Sequence, residues 1–190
     1  MVAADNGSMP WRCVLLSGPA GSGKTTMCRL GHRTMLEAWG HPAAAIDADD
    51  LYLNVDARWE LPYDDRRTAM VLTQAAQLAT SLFEYGWSTV IVCGNSLFEE
   101  ADTAVLRSAL PPNVEIYHLT LTPELSTVLS RCADLPRDPS RLAADAELQA
   151  SRLHPGTAQL DSTHLTPEET LVELARLVNA GAGRLDRDLG

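Results

Sequence analysis

Gly18-Pro19-Ala20-Gly21-Ser22-Gly23-Lys24-Thr25-Thr26 decides the fold of this chain. The stretch fits G-x-x-x-x-G-K-[ST], a loop whose glycines let backbone N–H groups close around a polyphosphate. Its surroundings suit that chemistry. Before it, Trp11-Arg12-Cys13-Val14-Leu15-Leu16-Ser17 is a short apolar run that reads as a buried strand. After it, residues 24–39 read as one helix stopped by Gly40. A helix N-terminus adds positive potential where phosphates would sit. Gly18, Ala20, Gly21, Ser22, Gly23, Lys24, Thr25 and Thr26 then form a nucleotide cradle. Lys24 is expected to reach the β- and γ-phosphates, and Thr25 to ligate Mg²⁺.

Outward from the loop, strands and helices alternate. Residues 42–46 read as a second strand that runs into the carboxylate cluster Asp47-Ala48-Asp49-Asp50. Residues 51–62 read as irregular or short-helical, with Asn54, Asp56 and Pro62 as breakers. A helix is expected over 64–85, stopped by Gly86, and the β-branched run Thr89-Val90-Ile91-Val92-Cys93 is the clearest central strand. A helix over 99–110 and a strand over 114–120 follow. Thr122-Pro123-Glu124-Leu125 then reads as a helix start, with Thr122 as cap and Pro123 in the first position. The charged, proline-containing segment 131–141 interrupts the pattern before a helix over 140–153. A short strand over 158–160 leads to Thr166-Pro167-Glu168-Glu169, a capping box opening the last helix.

Such alternation predicts right-handed crossovers and a parallel sheet with helices on both faces. Ligands of such sheets bind at the C-terminal strand ends. The phosphate loop, the acidic cluster, Gly94-Asn95-Ser96 and Asp161-Ser162-Thr163 all fall there. The expected organisation is a disordered lead-in over 1–10, a single domain over 11–180 with a lid at about 131–153, and a frayed tail over 181–190.

Composition narrows the partners. The chain has 190 residues, 45% hydrophobic and 21% charged, ordinary values for a globular domain with a real core. The formal net charge of -10 disfavours nucleic-acid backbones and anionic membranes. Cys13, Cys28, Cys93 and Cys132 are scattered without a C-x-x-C pair, which reads as reduced thiols in a cytoplasmic protein. The five histidines show no metal-ligand spacing, so no structural zinc is expected. The first ten residues lack the basic and apolar regions of a secretory signal, and no apolar run approaches the ~20 residues that span a bilayer. Monomer and homodimer both stay open.

A phosphate loop serves enzymes that activate water and enzymes that move a phosphoryl group to a hydroxyl. Asp47-x-Asp49-Asp50, one crossover after the loop, favours the second. A hydroxyl acceptor needs a carboxylate that accepts its proton and aims its oxygen at the γ-phosphorus. Arg131, Arg137, Arg141 and Arg152 suggest a lid whose guanidinium groups neutralise the transferred phosphoryl. The guanine-specificity motif N-K-x-D is absent, and the central strand ends in Cys93-Gly94-Asn95 without a carboxylate for Mg²⁺. Thr25, Asp47 or water must supply that coordination.

These residues resemble the small P-loop kinases: gluconate kinase, adenylyl-sulfate kinase, chloramphenicol phosphotransferase and the phage-type polynucleotide 5′-kinase. The phosphate loop matches in full. Ile46-Asp47-Ala48-Asp49-Asp50-Leu51 looks like the D-x-D segment of gluconate and adenylyl-sulfate kinases, which puts Asp49 on the family's catalytic base. Leu160-Asp161-Ser162-Thr163 before Thr166-Pro167 looks like the border of an adenine site, which implicates Thr163. By the same resemblance Arg131 and Arg137 hold lid-arginine positions. The implied architecture is the three-layer α/β P-loop NTPase fold with a five-stranded parallel sheet in the order 2-3-1-4-5.

The acceptor side departs from the family. Tyr52 stands where gluconate kinase has histidine and polynucleotide kinase has arginine. Leu61-Pro62-Tyr63-Asp64-Asp65-Arg66-Arg67 resembles the D-R segment of gluconate kinase at a shorter distance from Asp49. Candidate acceptor residues are therefore Asp47, Asp49, Tyr52, Trp59, Tyr63, Arg66, Arg67, Asn95 and Ser96, with Lys24, Asp49, Arg131 and Arg137 as the catalytic set. The expected activity is an ATP- and Mg²⁺-dependent kinase acting on a hydroxyl of a small polar metabolite or antibiotic. A 5′-hydroxyl kinase of nucleosides or nucleic-acid ends and an ATP-binding switch are the alternatives.

Overall fold

A computed structural model describes residues 9–53, 64–133 and 138–186. The sheet is built around β1 (Arg12–Ser17), in the order β2 (Ala43–Asp47), β3 (Thr89–Cys93), β1, β4 (Glu115–Leu121), β5 (Ala158–Leu160). All of these pairings are parallel. The order is the one expected. A further two-residue strand, β6 (Arg184–Leu185), pairs antiparallel with β4 and makes the sheet six-stranded rather than five.

The period of two in β1 sorts the core into two layers. Cys13 and Leu15 face α4 (Asp65–Tyr85) and α5 (Glu100–Ala109), and pack with Val71, Leu72, Phe83 and Leu106. Val14 and Leu16 face α1 (Lys24–Cys28), α2 (His32–Trp39) and α8 (Pro167–Asn179), and pack with Met27, Trp39, Leu171 and Leu174. Burial on both faces is why β1 and β3 read as unbroken apolar runs. Each fully buried aliphatic side chain there contributes about 1.5–3 kcal/mol.

Three local expectations need correction. Residues 24–39 form two helices, because the chain turns extended at Gly31 (φ −66°, ψ 157°) and restarts at His32. Glycine is a poor helix interior residue, and Gly31 caps α2 instead. Of the two readings for 51–62, the short helix is the one present at its start: α3 (Ala48–Leu53) carries Asp49 and Asp50 in its first turn, and 54–62 lie outside the described residues. The helix expected with Thr122 as cap starts two residues later, as α6 (Leu125–Arg131) capped at Glu124. Thr122 N–H still donates to Leu160 O (2.9 Å), so the ladder to β5 holds the chain extended past Pro123.

The third correction concerns the tail. It does not fray at 181: Leu185 is buried against the α4/α5 layer, and Arg107 Nη2 donates to Asp186 O (2.6 Å). Gly183 makes this return possible. Its φ of +72° and its carbonyl bond from His118 N–H (2.7 Å) hold it so close to β4 that a Cβ would collide with the His118 carbonyl. In the expected lid region, α7 (Pro139–Ser151) is capped by Asp138 and packs against α6. No helix among the described residues is long and apolar enough to cross a membrane.

Candidate active site

The phosphate loop takes its shape from three glycines with positive φ: Gly18 (+142°), Gly21 (+81°) and Gly23 (+107°). Two also lie where no side chain fits. A Cβ at Gly18 would stand 2.7 Å from Leu121 O, and one at Gly21 would stand 2.6 Å from Cys132 Sγ. The loop is therefore packed from behind by β4 and by the end of α6. Lys24, the first residue of α1, is 6% exposed. Its Nζ donates to Gly18 O (2.6 Å) and Pro19 O (3.1 Å). Burial lowers its pKa, and the neighbouring Asp49 and Asp47 carboxylates oppose that shift.

Asp49 follows the C-terminal end of β2, beside the end of β3. Its Oδ2 accepts from Asn95 Nδ2 (2.8 Å) and its Oδ1 from Asn95 N (3.2 Å). Burial pushes the Asp49 carboxyl above the ordinary carboxylate range, while the Asn95 backbone N–H and the Lys24 ammonium pull the other way. A raised carboxyl pKa makes a better proton acceptor. Asp47 Oδ1 accepts from Asp49 N (3.0 Å), which fixes the strand-to-helix turn that aims Asp49.

The loop and Asp49 share one cleft of about 760 Å³. Its walls include residues 20–27, Arg29, Asp49, Asn95, Arg131 and Cys132, with Leu165, Pro167 and Thr170 on the far side. Arg131 crosses from α6 to this wall. Its Nη1 donates to Ser22 O (3.3 Å) and its Nη2 to Ser162 O (2.9 Å), so it ties the loop to the β5–α8 turn.

The sequence matches no protein-family model and no curated protein. The structure is similar to a sugar kinase from Janibacter sp. HTCC2649 at TM-score 0.61, 22% identity, with 91% of this chain and 96% of that one covered. It is similar to a gluconokinase from Sinorhizobium meliloti 1021 at TM-score 0.58, 21% identity, covering 92% and 94%. Mycobacterium tuberculosis APS kinase, solved with AMPPNP and APS, aligns at TM-score 0.60, 20% identity, covering 90% and 99%. The chain has the fold of the small P-loop kinases.

Within this P-loop kinase fold, some expected site residues meet and others do not. Ala20, Gly21, Ser22, Gly23, Lys24, Thr25, Thr26, Asp49, Asn95 and Arg131 line one cleft, and Gly18 closes on Lys24 from behind. Thr163 is not part of the wall. Its hydroxyl donates to Asp161 Oδ1 (2.5 Å) and accepts from Glu124 N (2.8 Å), so it ties two turns together, and Leu165, Pro167 and Thr170 take its place. Tyr52 accepts from Arg67 Nε at its hydroxyl (2.6 Å) and stands outside the wall. Arg66 is exposed beside the Asp64 cap, and Ser96 opens a short 3₁₀ turn. Asn95 lines the cleft and donates its side-chain amide to Asp49. Trp59, Tyr63 and Arg137 lie outside the described residues.

Sequence reading missed Arg29, which lines the cleft and pairs loosely with Asp50 (3.6 Å). Gly31 was the available signal, since a helix broken there leaves Arg29 at the end of α1. For Mg²⁺, the Thr25 hydroxyl in the cleft wall is a hard oxygen donor of the kind this ion prefers, so the loop fits it.

Proposed function

We propose that this protein is an ATP- and Mg²⁺-dependent kinase that moves the γ-phosphoryl group to a hydroxyl of a small polar molecule. The observation that carries the reading is Asp49: a half-buried carboxylate, oriented by two Asn95 donors, in the same cleft as the phosphate loop. In this reading the loop amides hold the polyphosphate, and Lys24 exchanges the Gly18 and Pro19 carbonyls for phosphate oxygens. Thr25 and water would hold Mg²⁺, which would neutralise phosphate charge. Asp49 takes the acceptor proton. Arg131, already at the wall, stabilises the transferred group if it releases Ser162. The sugar kinase, gluconokinase and APS kinase of the same fold make sugars, sugar acids and nucleotide-linked hydroxyls the first acceptors to test.

A screen of ATP consumption across these classes and across aminocyclitol and phenicol antibiotics identifies the acceptor. Asp49→Asn is expected to lower turnover by about 10²–10⁴-fold, the range for a positioned base. ATP affinity should stay within about threefold, because the change falls well short of the ~1.4 kcal/mol that makes a tenfold effect. Equal loss of nucleotide binding and turnover would remove Asp49 from the chemistry. Consumption of ATP with no acceptor tried, only in the presence of a protein partner, would favour a switch; labelling of 5′-hydroxyl oligonucleotides would favour an end kinase.

A further inference from the structure

Cys28, Asp47 and Cys93 come from three separate elements and converge at one point beside the phosphate loop. One ligand atom of each, Sγ, a carboxylate oxygen and Sγ, lies within 4.8 Å of the others. The topology explains the meeting. Asp47 and Cys93 are partners in the parallel ladder of β2 and β3, so both side chains leave the sheet on the same face. Cys28 ends α1, which packs over that face, and sits one helical turn beyond Lys24. Cys93 is 1% exposed, and Cys28 is half-buried.

We propose that Cys28, Asp47 and Cys93 form a binding site for a thiophilic divalent cation of the Zn²⁺ type, distinct from the oxygen-donor Mg²⁺ site of the nucleotide. Two sulfur donors and one oxygen select Zn²⁺ over Mg²⁺, because hard cations take oxygen ligands and thiolates favour softer ones. Three protein ligands leave one of four tetrahedral positions for water or another donor. Binding displaces one proton from each thiol to solvent and forms two metal–sulfur bonds and one metal–oxygen bond. Two thiolates, one carboxylate and the dication sum to a single negative charge, and the nearby Lys24 ammonium offsets it. Asp47 also accepts the Asp49 backbone N–H, so a bound cation would pin the turn that carries Asp49. The site lies apart in sequence but not in space, which is why linear spacing gives no sign of it.

The test uses the full chain, stripped of metal with a chelator and kept reduced with a phosphine. Co²⁺ is titrated in while the thiolate-to-cobalt charge-transfer band in the near ultraviolet is followed. The expected result is a band that saturates at one equivalent, is bleached by Zn²⁺ and is untouched by a large excess of Mg²⁺. Cys28→Ser and Cys93→Ser should each cut the band by about half and weaken Zn²⁺ binding by at least about tenfold, since losing even a hydrogen-bond partner of a metal ligand costs about 10–100-fold. Cys132→Ser should leave both unchanged. Circular dichroism and melting confirm that each variant is folded; half-buried Cys28 gives the decisive variant if Cys93→Ser does not fold. Absence of the band, a band insensitive to Cys28→Ser, or a band lost in Cys132→Ser overturns the proposal. None of these readings depends on kinase activity.

Discussion

Asn95 spends its side-chain amide on Asp49, and this makes it a positioning residue with a measurable signature. Asn95→Ala removes one donor from the carboxylate while the backbone N–H at 95 remains. A carboxylate that loses a donor is harder to ionise, so its pKa rises. If Asp49 is the base, the acid limb of the pH–rate profile should move to higher pH, with kcat down by about tenfold at neutral pH. A change in KM alone, with an unmoved acid limb, would show that Asn95 serves the acceptor instead. Asp102 offers a stability experiment at the same scale. It is 9% exposed on α5, its Oδ2 has no partner among the described residues, and burial with nearby Glu99 and Asp65 lifts its pKa to about 6. With a folded pKa above the unfolded one, the native state binds the extra proton between about pH 4 and 6 and loses stability as pH rises through that window. Asp102→Asn should therefore raise Tm by about 3 °C at pH near 8, roughly 1 kcal/mol in a chain of this size, and change little at pH near 4. The difference between variant and parent isolates Asp102 from His118, whose imidazole pKa burial lowers to about 4. An equal gain at both pH values would contradict the assignment.

At the scale of elements, legibility followed locality. The capping box of α8 was readable because its partners are three residues apart: Thr166 Oγ1 accepts from Glu169 N (3.2 Å) and Glu169 Oε2 from Thr166 N (2.8 Å). Thr166→Ala should cost about 1 kcal/mol, seen as a Tm lower by about 3 °C in thermal melts. The carboxylate cluster was readable for a similar reason, since a strand end followed at once by Asp47 and Asp49 leaves few places for them. Three features were not readable. The break at Gly31 was hidden by the apolar spacing on either side of it. The start of α6 was set by a ladder bond between Thr122 and Leu160, residues far apart in sequence. The resemblance implicated Thr163 in an adenine site, whereas in the structure its hydroxyl bonds Asp161 and Glu124. The last two turn on bonds between residues far apart in sequence, Thr122 with Leu160 and Thr163 with Glu124.

For the whole molecule, alternation announced a parallel sheet and the resemblance to the small P-loop kinases implied its order 2-3-1-4-5, but neither announced the return of the tail. Leu185 looks like one apolar residue in a charged stretch, and only the fold shows what it covers. Truncation after Ala182 should lower Tm by about 5–8 °C, corresponding to roughly 2–3 kcal/mol for one buried leucine. A frayed tail would give no change in the same melt. There is a second cost to that cut. One margin of β4 is divided end to end: residues 119–121 bond β5, and residues 116–117 bond β6. Without the last strand, the backbone N–H and C=O groups along the first half of β4 would stand bare on the rim of the sheet, a template for strands of other molecules. The two-residue strand thus works as a built-in gasket against self-association, and a purification handle is better placed at the opposite terminus.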